Sequence, residues 1–289
     1  MRKIVGISQK LRRGWLDELL DCVSQSRDEK SLRAFLDQRL RNELPGVEAR
    51  AKAAGILVRI WSRVETNHIV MRDRALVLLP LISGQERIWL HWGMMALTYP
   101  FFRDVADLVG RMLTLQDDLT TAQVQARITV AWGDRTTSKE AAQKLITSMV
   151  DWEVLRATRT KGHFLLAQKM STPVTDLQLW LLEAMLKASA SPEIEAQQLF
   201  RLPELFPFAL TVGVGDLRKH EGFNIHRQGL DVDMVAARYV KAEPPVDEKE
   251  PKGKSKKVPP ESDQPTLFNE AAREASSAPS LALVIKHAL

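Results

Sequence analysis

The chain has 289 residues, of which 45% are apolar and 27% charged, a composition typical of a globular protein with one large or two modest domains. Its single cysteine, Cys22, excludes an internal disulfide framework and a cysteine-based zinc site. No apolar run reaches the roughly 18–20 residues that cross a bilayer, and no secretory signal is visible. We therefore expect a soluble, cytoplasmic protein without membrane contact.

Positive charge is concentrated at the start of the chain, although the net charge is only +5. Residues 1–64 contain 14 Lys and Arg against 8 Asp and Glu, whereas residues 65–240 contain 19 against 20. Residues 241–289 are balanced, with 8 of each. The excess suits contact with an anion such as nucleic acid, and it is equally typical of solvated helix faces.

Residues 1–99 are predicted to form an N-terminal helical region. Apolar residues recur at helical spacing in residues 15–23, 32–40 and 47–64, and Pro45-Gly46 interrupts the pattern. Six tryptophans within such helical patterns are expected to pack in the core: Trp61, Trp89, Trp92, Trp132, Trp152 and Trp180.

Residues 100–170 are predicted to form three helices followed by a β-hairpin. Pro100 suits the first turn of the first helix, a threonine at 120 or 121 caps the second, and Gly133 ends it. After a third helix, two short apolar runs are separated by a turn containing Gly162. This is the order of a winged helix-turn-helix, in which the third helix enters the major groove and the wing contacts the phosphate backbone.

The winged-helix-like unit is also basic, with seven Lys and Arg between positions 135 and 169 against three acids. Asp151 and Glu153 would repel phosphate near the end of the third helix, and winged helices also serve as protein-binding modules. We predict contact with double-stranded DNA through Arg135, Ser138, Lys139, Gln143, Lys144, Thr147, Arg156, Arg159, Lys161 and Lys169.

Residues 171–240 are predicted to contain a helix and a small β element. The helix spans about 174–188, a short helix lies near 193–200, and a strand at 205–214 pairs with 223–226. Asp231 and Asp233 alternate along an extended stretch, which is the only pattern that suits a metal-dependent nuclease. Because the chain has no phosphate-binding loop, dinucleotide fingerprint, nucleophile elbow or metal-ligand histidine spacing, we predict no catalytic residue, metal or cofactor.

Residues 241–289 are predicted to be a disordered tail, because Pro, Glu, Lys and Ser dominate as far as Pro265. Gln264-Pro265-Thr266-Leu267-Phe268 resembles the bacterial sliding-clamp-binding motif, in which two residues separate a glutamine from a Leu-Phe pair. Gln264, Leu267 and Phe268 match that motif, and Pro265 stands where leucine is more usual. The resemblance implies a sliding clamp as partner, and the alternative is an apolar patch that folds back onto the body.

A wider resemblance covers about residues 70–190. The stretches Glu86-Arg87-Ile88-Trp89-Leu90 and Tyr99-Pro100-Phe101-Phe102, the helix containing residues 141–152 and the hairpin at Val154 resemble the A protein of bacteriophage-exclusion (BREX) phage-defence systems. The resemblance implies a small helical protein with winged-helix-like character and DNA affinity. The basic N-terminal helices and the clamp-like tail are not features of that family.

The sequence thus predicts a mainly α fold: a multi-helix domain with an internal winged helix-turn-helix, a small C-terminal β element and a tail. The predicted function is a non-catalytic DNA-binding accessory or scaffold protein of a phage-defence or DNA-transaction complex. Two alternatives stay open, a protein–protein adaptor without nucleic-acid contact and a metal-dependent nuclease.

Overall fold

The computed structural model describes residues 4–25, 27–229 and 232–238, and helices make up most of these residues. The predicted, mainly helical fold is therefore confirmed. In chain order the α-helices of the described ranges are α1 (Arg13–Ser24), α2 (Glu29–Arg39), α3 (Val47–Trp61), α4 (Ile69–Leu78), α5 (Arg87–Thr98), α6 (Pro100–Leu115), α7 (Thr121–Trp132), α8 (Thr136–Asp151), α9 (Thr175–Ala188), α10 (Ala196–Leu199) and α11 (Val214–Lys219). Short 3-10 helices occupy Thr66–His68, Leu79–Leu81 and Pro203–Leu205.

The strands form two small antiparallel sheets of three strands each. The first sheet, in the order β1-β3-β2, contains β1 (Asp118–Thr120), β2 (Leu155–Ala157) and β3 (His163–Leu166). The second, in the order β4-β6-β5, contains β4 (Glu193–Glu195), β5 (Phe223–Gln228) and β6 (Val232–Ala237). The predicted hairpin and the small C-terminal β element are both present.

The tryptophans are core residues, as predicted. All seven are buried, and five of them are completely inaccessible to solvent. The ring of Trp92 on α5 contacts the rings of Phe102, Trp152, Phe206 and Phe208 edge-to-face at centroid distances of 4.9–6.3 Å, an arrangement that aromatic pairs favour. The buried apolar residues form one cluster, so helices α1–α5 and residues 100–166 share a core.

Two predictions for residues 193–226 were wrong. Residues 205–214 do not form a strand, and β5 pairs with β6 through Ile225 and Val235 instead. The segment after Phe206 is held by an isolated parallel bridge between Phe208 and Met170 and by the side-chain amide of Gln178, which accepts the backbone N–H of Thr211. These partners satisfy its backbone without a strand ladder. Residues 193–195, predicted as helix, form strand β4, and the helix begins at Ala196.

No helix within the described ranges is both long and apolar enough to cross a membrane.

Candidate nucleic-acid interface

Residues 100–166 follow the order helix, strand, helix, helix, hairpin: α6, β1, α7, α8, β2 and β3. This order and the β1-β3-β2 sheet are compatible with a winged helix-turn-helix. Strand β1, which has three residues and pairs Leu119 with Phe164, is not predicted by the sequence. The predicted threonine cap is Thr120, whose hydroxyl accepts the backbone N–H of Gln123 at 3.2 Å while the Gln123 side chain accepts the N–H of Thr120.

The hairpin β2–β3 presents three exposed cations. Arg156 lies on β2 opposite Leu165, and Arg159 and Lys161 lie in the turn that Gly162 closes with a φ of +81°. Within the described residues, no carboxylate lies within salt-bridge distance of these three side chains. They are therefore available to a phosphate backbone.

Helix α8 presents a smaller set of exposed polar residues. Gln143 and Lys144 are exposed, and Thr147 is partly buried with its hydroxyl hydrogen-bonded to carbonyls of its own helix. Lys139 is paired with Asp134 at 2.6 Å, and Arg135 donates to the carbonyl of Trp132. Lys139 and Arg135 thus stabilise the turn between α7 and α8, whereas Gln143 and Lys144 face solvent next to Thr147.

Ser138 does not belong to this surface, and its prediction as a DNA contact was wrong. It is completely buried on the same helical stripe as Ala141, Ala142 and Leu145, because the spacing i, i+3, i+4, i+7 places these residues on one face. Its hydroxyl has no hydrogen-bond partner among the described residues. A serine at a core position looks like a surface residue in the sequence.

An extended N-terminal segment, residues 4–12, lies along α8, which the sequence did not predict. The backbone N–H of Leu11 donates to the Ser148 hydroxyl at 2.9 Å, and the Trp152 indole donates to the carbonyl of Leu11 at 3.0 Å. Lys10 lies 3.1 Å from Asp151, which also accepts the N–H of Arg13. The repulsion expected from Asp151 is therefore offset by the N-terminal segment.

The arginines of the first 64 residues are mostly paired with carboxylates of the same protein. The partners lie within 4 Å of each other, and these pairs are partly exposed, a setting in which each contributes little to stability. They are Arg12–Glu43, Arg13–Asp17, Arg33–Glu29, Arg39–Glu18, Arg41–Asp37, Arg50–Asp37, Arg59–Glu65 and Arg63–Glu29. The hairpin cations lack such partners, so the hairpin is the better candidate for contact with an external anion.

Glu153, between α8 and the hairpin, adopts a left-handed conformation with a φ of 60°. The N–H groups of Glu153 and Val154 donate to the carbonyls of Val150 and Met149, which is the pattern of a Schellman helix end. Glycine normally occupies this position, because other residues lose about 1 kcal/mol there. The position is exposed, so a change here leaves the core intact.

We expect Glu153→Gly to raise the free energy of unfolding by about 1 kcal/mol, because it relieves the left-handed backbone. Urea unfolding at neutral pH measures this change. Glu153→Ala is the matched control: it removes the same carboxylate but keeps a Cβ, so its stability should stay within about 0.5 kcal/mol of the wild type. Equal stabilisation by glycine and alanine would show that charge, not backbone strain, matters here.

The buried histidine His91 has no free nitrogen for chemistry. Trp61 donates to its Nδ1 at 3.1 Å, and its Nε2 lies 2.8 Å from Asp17, so the neutral tautomer with hydrogen on Nε2 satisfies both contacts. Burial lowers the pKa of His91, and the carboxylate of Asp17 opposes this effect. The Trp61–His91–Asp17 chain therefore acts as a structural link between α3, α5 and α1.

Of the two aspartates of the nuclease alternative, the structure describes only Asp233. Asp233 on β6 is paired with Arg218 at 2.6 Å, and Asp231 lies outside the described residues. Among the residues that the structure describes, no group of three His, Cys, Asp or Glu side chains is placed to hold a metal ion. The clamp-like residues Gln264, Leu267 and Phe268 also lie outside the described residues, and their role stays a prediction.

Comparison of the chain with protein-family models, with curated proteins and with solved structures finds no match in any of the three.

Proposed function

We propose that this protein binds double-stranded DNA without catalysing a reaction, through the hairpin β2–β3 and the exposed side of α8. The observation that carries the proposal is the group of exposed cations at Lys144, Arg156, Arg159 and Lys161, none of which has a carboxylate partner within the described residues. Phosphate contacts of this kind supply affinity irrespective of sequence, while Gln143 on α8 suits contact with base edges. The element order of residues 100–166 supports the same interpretation.

The wider role that we infer is that of an accessory or scaffold subunit in a DNA-transaction complex. The hypothesis that this complex serves phage defence rests on the resemblance of residues 70–190 to the A protein of bacteriophage-exclusion systems. The hypothesis that the protein binds a sliding clamp rests on Gln264, Leu267 and Phe268. Both are hypotheses about partners, independent of the DNA contact itself.

The DNA contact is tested by binding to a short duplex over a range of salt concentrations, with fluorescence anisotropy as the readout. Neutralising about four to five phosphates corresponds to a slope of log affinity against log salt near −4. Replacing Arg156, Arg159 and Lys161 together with alanine should flatten this slope by about 2–3 and weaken binding to duplexes of different sequence by similar factors.

The matched control replaces three exposed lysines elsewhere, Lys30 on α2, Lys52 on α3 and Lys219 on α11, with alanine. This variant carries the same change in net charge, and its slope should stay within about 1 of the wild type. If the control loses as much affinity as the hairpin variant, the attraction comes from net charge alone. If the hairpin variant keeps the wild-type slope, the hairpin is not the DNA contact.

A further inference from the structure

A groove of about 440 Å³, most of whose lining residues are apolar, opens between the C-terminal end of α6, the end of β3 and residues 200–212. Its lining includes partly buried apolar side chains from all three elements, which are Leu113, Leu166, Phe200, Leu202, Phe206 and Leu210. Apolar side chains that remain partly exposed in a concave surface favour a ligand that removes them from water.

The rim of this groove is positive. Lys169 and Arg201 line it and are exposed, and no carboxylate lies within salt-bridge distance of either one within the described residues. No aspartate or glutamate belongs to the lining. The groove therefore combines an apolar floor with two cations that have no internal partner.

The backbone around the groove is fixed by hydrogen bonds. The N–H of Met170 donates to the carbonyl of Pro207, and the N–H of Ala209 donates to the carbonyl of Met170, each at 2.8 Å. Thr211 is held by Gln178 at 2.8 Å. A groove that is already formed binds its ligand without the free-energy cost of ordering its own walls.

We propose that this groove binds an extended segment of a protein partner in which two adjacent bulky apolar side chains are flanked by carboxylates. The apolar side chains would occupy the floor, and the carboxylates would pair with Lys169 and Arg201. DNA fits this groove less well, because phosphates and sugars gain nothing from an apolar floor. This binding function is separate from the DNA contact proposed above and does not depend on it.

Residues 258–272 of this chain have the composition that the groove requires, and a peptide of this sequence is a suitable probe. Leu267 and Phe268 are flanked by Glu261, Asp263 and Glu270, and the stretch contains no lysine or arginine. The test uses the full chain carrying Leu267→Ala and Phe268→Ala, so that its own copy of the segment cannot compete with the probe.

Fluorescence anisotropy of the labelled peptide should show saturable binding with a Kd on the order of 10–100 µM, a range expected for a short segment that must become ordered on binding. Adding Lys169→Glu and Arg201→Glu should weaken binding at least tenfold, and adding Leu210→Asp should do the same. Lys30→Glu on α2, a comparable charge reversal outside the groove, should leave the Kd within twofold. A peptide with alanine at both apolar positions should not bind.

Three results would overturn the proposal. The first is an absence of saturation at about 1 mM peptide, and the second is equal affinity of the groove variants and the Lys30→Glu control. The third is a loss of duplex binding in the Lys169→Glu, Arg201→Glu variant while peptide binding is unchanged, which would assign the rim to the DNA interface. Urea unfolding of each variant identifies any loss of affinity that comes from misfolding. If Leu210→Asp does not fold, the substitutions at Lys169 and Arg201 still test the proposal, because both positions are exposed.

Discussion

Replacing Glu183 with glutamine is expected to lower the free energy of unfolding by about 3–5 kcal/mol. Glu183 lies on α9 with its side chain only 2% exposed. Arg74 on α4 donates to its Oε2 at 2.5 Å, and Lys187 lies 3.3 Å from its Oε1. The substitution keeps the shape of the side chain but removes the negative charge that faces Arg74 and Lys187, the latter only 7% exposed.

The same cluster joins the second sheet to the helices. Lys187 also donates to the carbonyl of Arg238, directly after β6, and Arg74 lies 2.8 Å from a ring nitrogen of His220, shortly before β5. A Cβ on Gly222 would lie 2.0 Å from Glu183 Oε2, so the chain requires glycine where it passes over the carboxylate. The loss of Glu183 is therefore expected to loosen β5 and β6 first.

Urea unfolding at neutral pH measures the loss, and hydrogen exchange of β5 and β6 locates it. The control is Arg33→Gln, which breaks the exposed Arg33–Glu29 pair, each partner 41% exposed, and should cost no more than about 0.5 kcal/mol. A triple variant, Arg74→Met, Glu183→Leu and Lys187→Met, should recover most of the stability, because buried ion pairs are often replaced by apolar residues without loss. A Glu183→Gln variant as stable as Arg33→Gln would contradict this account.

A structural feature can be predicted from the sequence when the residues that cause it lie close to it in the chain. The helices follow from apolar spacing, the start of α6 from Pro100, and the hairpin turn from Gly162; each signal acts within a few residues of the element. Glu183 stands in an otherwise apolar helical run, which marks it as unusual, but its partner Arg74 is 109 residues away. No pattern in a single sequence identifies a partner at that distance.

The same difference between local causes and distant partners is seen in the candidate interface. The exposed cations of the hairpin were predicted from the turn and its charges, because a hairpin turn is exposed wherever it forms. The burial of Ser138 depends on which side of α8 faces the core, and the contact between Leu11 and Ser148 joins residues 137 positions apart. Residues 205–214 have the composition of a strand, yet their backbone partners, Met170 and Gln178, come from distant parts of the chain and leave it irregular.

Gly110→Ala is expected to lower the free energy of unfolding by about 3 kcal/mol, although alanine favours a helix more than glycine does. Gly110 lies in α6 where the helix packs against the 3-10 helix Pro203–Leu205. A Cβ at this position would lie 1.9 Å from the carbonyl oxygen of Pro203 and 2.6 Å from its carbon. Because both are backbone atoms, the contact cannot be relieved by rotating a side chain, and the two elements must move apart.

The control for this prediction is Gly55→Ala in α3, where nothing lies within 4 Å of the position of the added Cβ. It should raise the free energy of unfolding by about 0.5–1 kcal/mol, the usual difference between glycine and alanine inside a helix. Two helical glycines are thus expected to respond with opposite signs to the same substitution, as measured by urea unfolding under identical conditions. Stabilisation by both changes would mean that α6 and residues 203–205 separate at little cost, and that their close contact does not hold this wall of the groove in place.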